Sequence, residues 1–363
     1  MRLLLLCFLI GIHSSSFAQI GEIDRPNSAT DVISYLNGLL DGPYKRNREN
    51  TTTTTKGAFS ENQRIGTWQI TNTGAIGDAS VTITYTKPYR AINGTVLLEG
   101  KKYDLEPTKT YDLTRDSNDL IPYIYVDDDK DILFSRSDFL YLENNETNKS
   151  FFEQNALYDA IRKSVVEDSV KIHADIHFND EITRNNYLEI ASSDSLEILG
   201  FKLRVVSYFN SALLMMEHRV IGICPLVKLK SKENAISQGW FYYPDLRIQI
   251  AKKLVENESP LDIKHLDDLF FFRKYIGLPY GKNGVKNINE SDLNILENLT
   301  EIRNNAELRE QRLIRMENAG VCYTAYQRFS YEYQLRREEI EKNLLEVEKL
   351  EKIRHSNDTL TKK

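Results

Sequence analysis

Cysteine is scarce: the 363 residues hold three, and one of them, Cys7, lies within the first eighteen. The two that remain, Cys224 and Cys322, cannot staple a disulfide scaffold, so a hydrophobic core must hold the fold. They leave two readings open, a single disulfide or two small buried thiols. Glycine and proline, 17 and 9 residues, are too few for a collagen-like or low-complexity chain. An excess of positive charge is also missing. With 47 basic against 53 acidic residues the formal charge is −6, which gives no global pull toward nucleic acid or anionic lipid. No Gly-rich phosphate loop, helical metalloprotease His pair or Ser nucleophile elbow occurs. No cofactor and no catalysis are therefore expected. Beyond residue 18 no apolar run is long enough for a membrane helix.

The first eighteen residues have the pattern of an export signal. Met1-Arg2 is the basic start, Leu3 to Ile12 the apolar core, and Ser16-Phe17-Ala18 the small-residue cleavage site. Leu6, where a small residue would be expected, argues against lipid attachment at Cys7. Cleavage before Gln19 removes Arg2 and takes the charge to −7. At this length two or three domains are expected.

The periodicity predicts an α+β chain in several parts. Residues 19–56 read as a short helix and a polar linker: Val32, Ile33, Leu36, Leu39 and Leu40 share a helical face over 29–41, and Thr51 to Thr55 follow. Residues 57–145 read as an antiparallel β-rich module, with strand-like runs that include Ile121 to Val126. Gly66 is expected to relieve crowding there, and Trp68 to supply buried area. Residues 150–290 read as mixed α/β: a helix over 151–168, a strand over 171–178, long strands over 196–208 and 213–229, an aromatic strand over 239–243, and helices to about 255 and over 262–276. Residues 278–286 read as an exposed loop. Residues 291–363 read as long C-terminal helices, with a possible break near Gly320. Their near-heptad stripe of Tyr333, Ile340, Leu344, Val347 and Leu350 calls for a partner surface, in this chain or another.

Two groups invite a metal reading. His173, Asp175 and His177 would share one face of a strand, but successive steps of 6–7 Å are long for three ligands to one ion. An ordinary half-buried strand is the simpler expectation. Asp127 to Asp131 lack the spaced ligands, Gly and terminal Glu of a calcium hand, and read as a solvated turn.

Gly57-Ala58-Phe59, Arg64 to Trp68 and Asn72-Thr73-Gly74 resemble one unit of a MORN-like repeat. A broader resemblance runs from Phe151 to Arg273. It is carried by Ala156 to Ile161, Ile198 to Lys202, Met216 to Leu226, Trp240 to Arg247, and Asp267 to Phe270 followed by Arg273. In order and separation these blocks resemble the GldN family, also called PorN. The resemblance implies a non-enzymatic, periplasmic component of the type IX secretion and gliding apparatus at the inner face of the outer membrane. It also implies a GldK/PorK-like lipoprotein partner and assembly into a ring. Two features depart from the family pattern: the segment Gly277 to Gly281, and the β-rich block. Independently of the resemblance, the aromatic run from Trp240 to Tyr243 has the composition of interface anchors, and Arg219 and Arg247 beside it suit bidentate pairing with carboxylates. Arg219, Trp240, Tyr243, Pro244, Asp245 and Arg247 are the candidate interface residues, the alternative for each being a place in the core or a local salt bridge.

Overall fold

The computed structural model describes residues 31–47, 53–74, 77–86, 90–98, 101–193, 196–230, 234–255, 263–280, 299, 306 and 308–329. The proposed leader and the heptad-like stripe lie outside the described residues. Seven strands form a strictly sequential antiparallel sheet: β1 (Val32–Leu36), β2 (Leu39–Asn47), β3 (Thr53–Ser60), β4 (Gln63–Gly74), β5 (Gly77–Thr86), β6 (Arg90–Leu98) and β7 (Lys101–Leu105). The helix expected over 29–41 is therefore a hairpin. Asn37 and Gly38 sit at φ 51° and 77°, the left-handed pair of a two-residue turn, and the β-branched Val32 and Ile33 suit a strand. The described parts of the expected linker, up to Asn47 and from Thr53, are also strand. Thr55 pairs with Ile70 and is buried on the inner face.

That inner face carries Leu40, Tyr44, Phe59, Trp68, Ile70, Val81, Ile83, Tyr85, Val96 and Leu105, all buried. Trp68 is fully enclosed. The rings of Tyr44 and Phe59 lie 5.4 and 4.8 Å from it, and its indole N–H donates to Ala58 O at 3.2 Å. Gly57, not Gly66, is the glycine that relieves crowding: a Cβ there would sit 2.2 Å from the Trp68 ring. Gly66 has open space around it and serves its positive φ of 65°.

Residues 106–131 then cross the molecule as an irregular strap. The strand expected over Ile121 to Val126 does not form. Arginine side chains, described below, take its carbonyls where a neighbouring strand would. The strap ends in a turn in which Asp131 Oδ2 accepts from Asp127 N at 3.0 Å and Lys109 Nζ at 2.6 Å.

The second sheet is built on a hairpin of two 15-residue strands, β11 (Leu196–Asn210) and β12 (Met215–Leu229). β8 (Ile132–Glu143) flanks β11, and β13 (Ala235–Ser237) flanks β12. β14 (Phe241–Tyr242) also pairs with β12, and β15 (Leu278–Pro279) adds to β8 where a loop was expected. A helical turn, α1 (Lys149–Phe152), leads into α2 (Ala156–Glu167). α3 (Arg184–Ala191), α4 (Tyr243–Ala251) and α5 (Leu266–Phe271) complete this unit. Ile172–His173 is the only part of the expected strand over 171–178 that pairs, as β9 with β10 (Glu181–Ile182). After it the Asp175 carboxylate accepts from the N–H groups of His177, Asn179 and Asp180 at 2.6–3.1 Å and turns the chain.

Residues 308–329 form a helix, α6, that packs on both sheets. It buries Leu313, Ile314, Val321, Ala325 and Phe329, and it runs through Gly320 unbroken. A Cβ at Gly320 would lie 2.4 Å from the Phe209 ring, so the glycine lets α6 approach β11 closely. One core cluster spans both sheets and this helix. Among the described residues no helix is long and apolar enough to cross a membrane.

Candidate interaction site

The aromatic block is shaped by two glycines. Gly239, at φ 106°, lies so close to Ile172 that a Cβ would meet its Cγ2 at 2.6 Å. Trp240 can then exchange two backbone hydrogen bonds with His173, of 2.8 and 2.7 Å. Gly222 of β12 faces Tyr242 in the ladder and leaves room for the Phe178 ring, which a Cβ would meet at 2.8 Å. Phe178 in turn packs edge-on against Tyr242 and His173. Trp240 is buried with Ile176 and Cys224. Tyr243 then starts α4, with Pro244 in its first turn, where a missing N–H costs nothing.

The inner side of α4 is a carboxylate site. Asp267 Oδ1 accepts from Tyr243 Oη at 2.8 Å and from Arg247 Nε at 2.9 Å, and its Oδ2 accepts from Arg247 Nη2 at 2.6 Å. Burial alone would lower the Arg247 pKa, but the bonds and charge of Asp267 raise it above the ordinary value. Burial, reinforced by Asp267, holds the Tyr243 hydroxyl well above its ordinary 10, so it stays a donor.

The same guanidinium donates to Ile121 O at 2.9 Å and covers the Tyr123 ring at 4.6 Å. Arg219 covers that ring at 4.8 Å and donates to Ile124 O at 3.0 Å. Glu217, 3.6 Å from Arg219, accepts from Tyr111 Oη and from Asn210 Nδ2. Arg115 forks onto Asp268 at 2.9 and 3.0 Å, and Asp268 also accepts from the N–H groups of Lys264 and His265. Glu217, Asp267 and Asp268 are each at most 1% exposed. Carboxylates so buried are tolerated only when paired and hydrogen-bonded. Together these groups pin the strap to β12, α4 and α5.

The candidate interface residues thus divide. Trp240, Tyr243 and Arg247 are buried within the chain, Arg219 is half-buried under the strap, and Pro244 and Asp245 face outward. Tyr242 and Ile248 are exposed beside them, at 40% and 45%. The bidentate pairing anticipated for Arg247 is made inside the molecule. The possible Cys224–Cys322 bridge is not formed. Cys224 belongs to the Trp240 cluster, whereas Cys322 packs on the main core, where burial pushes its thiol up to about 12. Among the described residues no group of three or more His, Cys, Asp or Glu is placed to hold a metal ion.

A second polar network joins residues mostly distant in sequence, the neighbours Arg309 and Glu310 apart, and has no spacing signal. Arg309 Nε donates to Asp138 Oδ2 at 2.9 Å, and its Nη1 to Glu310 Oε1 at 2.7 Å. Arg273 pairs with Glu310, and Arg64 with Glu317. His218 lies between Arg273 Nη1, at 3.3 Å from Nε2, and Ser207 Oγ, at 2.8 Å from Nδ1. Arginine only donates, so Nε2 accepts and Nδ1 carries the proton toward Ser207. In this tautomer His218 cannot take the serine's proton, so the pair is not an activated nucleophile.

The described residues thus make an α+β body whose arginines brace it from within. The family of gliding motility associated proteins GldN matches residues 127–352, well over half of the chain, and the chain belongs to that family. The family is a component of the gliding-motility and type IX secretion apparatus. No curated protein matches the chain. The seven-stranded sheet lies outside the matched range.

Proposed function

We propose that the protein is an exported, periplasmic, non-catalytic scaffold subunit of this apparatus. It works at the inner face of the outer membrane and assembles into a ring with a GldK/PorK-like lipoprotein. The observation that carries the reading is the division of the Trp240–Arg247 block. Its buried members are tied into the core, and Tyr242 at the end of β14 with Pro244, Asp245 and Ile248 of α4 remain exposed. A rigid amphipathic aromatic beside a charge is the composition of an interface anchor. Tyr242→Ala with Asp245→Lys is expected to abolish co-purification with the lipoprotein while the protein stays folded, with only a small drop in melting temperature from the lost Phe178 contact and the reversed charge in the first turn of α4. Retained co-purification would exclude this face as the contact. A second reading, a periplasmic protein that binds an envelope ligand or partner outside the machine, draws its support from the seven-stranded sheet beyond the family match.

A further inference from the structure

The sheet meets the rest of the molecule through a polar seam at the β3–β4 turn. Asn62 Nδ2 donates to Arg273 O at 3.1 Å, and Gln63 Nε2 to Phe272 O at 3.3 Å. Arg64 Nη2 donates to Ile314 O at 3.3 Å and to Asn318 Oδ1 at 2.7 Å. A cavity of about 50 Å³ lies within this seam, with Gln63, Arg64, Met216, His218, Arg273 and Glu317 in its wall.

Among the described residues three buried atoms of Gln63 and Arg64 have no hydrogen-bond partner, Gln63 Oε1 and Arg64 Nε and Nη1; the Glu317 carboxylate holds Nε in an ion pair, which leaves two, Gln63 Oε1 and Arg64 Nη1. Each residue is 7% exposed. A buried polar atom left unpaired costs about 1–3 kcal/mol, so such atoms normally have a partner. One of the two accepts and the other donates. Other buried polar groups of the wall are engaged: Glu317 takes Met216 N on Oε1 and pairs with Arg64 through Oε2, His218 uses both ring nitrogens, and Tyr85 Oη donates to Leu214 O. In and beside the wall the buried charges pair, Arg64, Arg273 and Arg309 against Glu317, Glu310 and Asp138, and the remaining cation of the wall, Arg90, is exposed. A small anion would find no uncompensated buried charge among the described residues and would face the Gln63 carbonyl oxygen. A neutral molecule that accepts from Arg64 and donates to Gln63 satisfies both. The volume exceeds the roughly 10–15 Å³ that a single water requires.

We propose that this cavity is a resident-water site, in which water bridges Gln63 Oε1 and Arg64 Nη1. The seven-stranded sheet is then joined to the family unit through a hydrated polar seam that runs alongside the shared core. The assignment rests on geometry alone and is independent of the proposed function.

The test is a high-resolution crystal structure of the full chain with a bromide soak, together with oxygen-17 relaxation dispersion, which counts long-lived buried waters. The expected result is density within hydrogen-bond distance of Gln63 Oε1 and Arg64 Nη1, no anomalous bromide peak there, and at least one fewer long-lived water in Gln63→Met. A dry cavity, or a bromide peak inside it, overturns the assignment without reference to any variant. An unchanged dispersion signal in a folded Gln63→Met protein also overturns it.

Discussion

Protonating His218 would set a further cation against Arg273 and Arg309, and among the described residues its ring otherwise bonds the Ser207 hydroxyl. Burial first, and those two guanidinium groups second, hold its pKa well below the ordinary 6.5. The unfolded chain therefore binds the proton more readily. Stability is lost as pH falls below about 6.5 toward the folded value, by at most ~1.4 kcal/mol per pH unit. Urea unfolding of His218→Gln, which keeps a donor toward Ser207, is expected to show a flatter profile between pH 6.5 and 5 than the parent. An identical slope would remove His218 as the cause. Asp138 and Glu310 act in a lower window. Burial alone would raise them, but Arg309 and Arg136 around Asp138, and Arg273 and Arg309 around Glu310, hold them below 3.8 and 4.5. Their contribution is complete at neutral pH and fades only below those values.

At the scale of elements, the strap depends on three buried carboxylates. Asp267→Asn would leave the Arg247 guanidinium buried with half a partner and weaken the hold on Ile121 and Tyr123. The expected loss is about 3–5 kcal/mol, read by urea unfolding, with faster proteolysis between residues 106 and 131. A loss under about 1 kcal/mol would mean that the strap is held elsewhere. This device was half legible. Bidentate pairing of Arg247 followed from its chemistry, but its partner, 20 residues on, did not, and Ile121 to Val126 resembled a strand because Ile121, Tyr123 and Ile124 do pack on a core. The β11–β12 hairpin was readable because its alternation is long. The β1–β2 hairpin was not legible from periodicity, because its apolar spacing also fits a helix; the Asn37-Gly38 turn is the signal that separates the two.

At the scale of the molecule, two sheets share a core and α6 braces both. The family match covers β8 onward, so the seven-stranded sheet is joined to a recognised unit by Arg64, Glu317 and the polar seam around them. The α+β class and the family were legible, the latter from the blocks around Met216 to Leu226 and Trp240 to Arg247. The seam was not, because Arg64 and Glu317 lie more than 250 residues apart. The most direct test of the scaffold account is purification of the C-terminally tagged chain from a mild detergent extract of its native envelope. Co-purifying proteins would be identified by mass spectrometry, and the same fraction imaged. The account predicts a GldK/PorK-like lipoprotein in ring-shaped particles. A soluble monomer without any secretion component would contradict it.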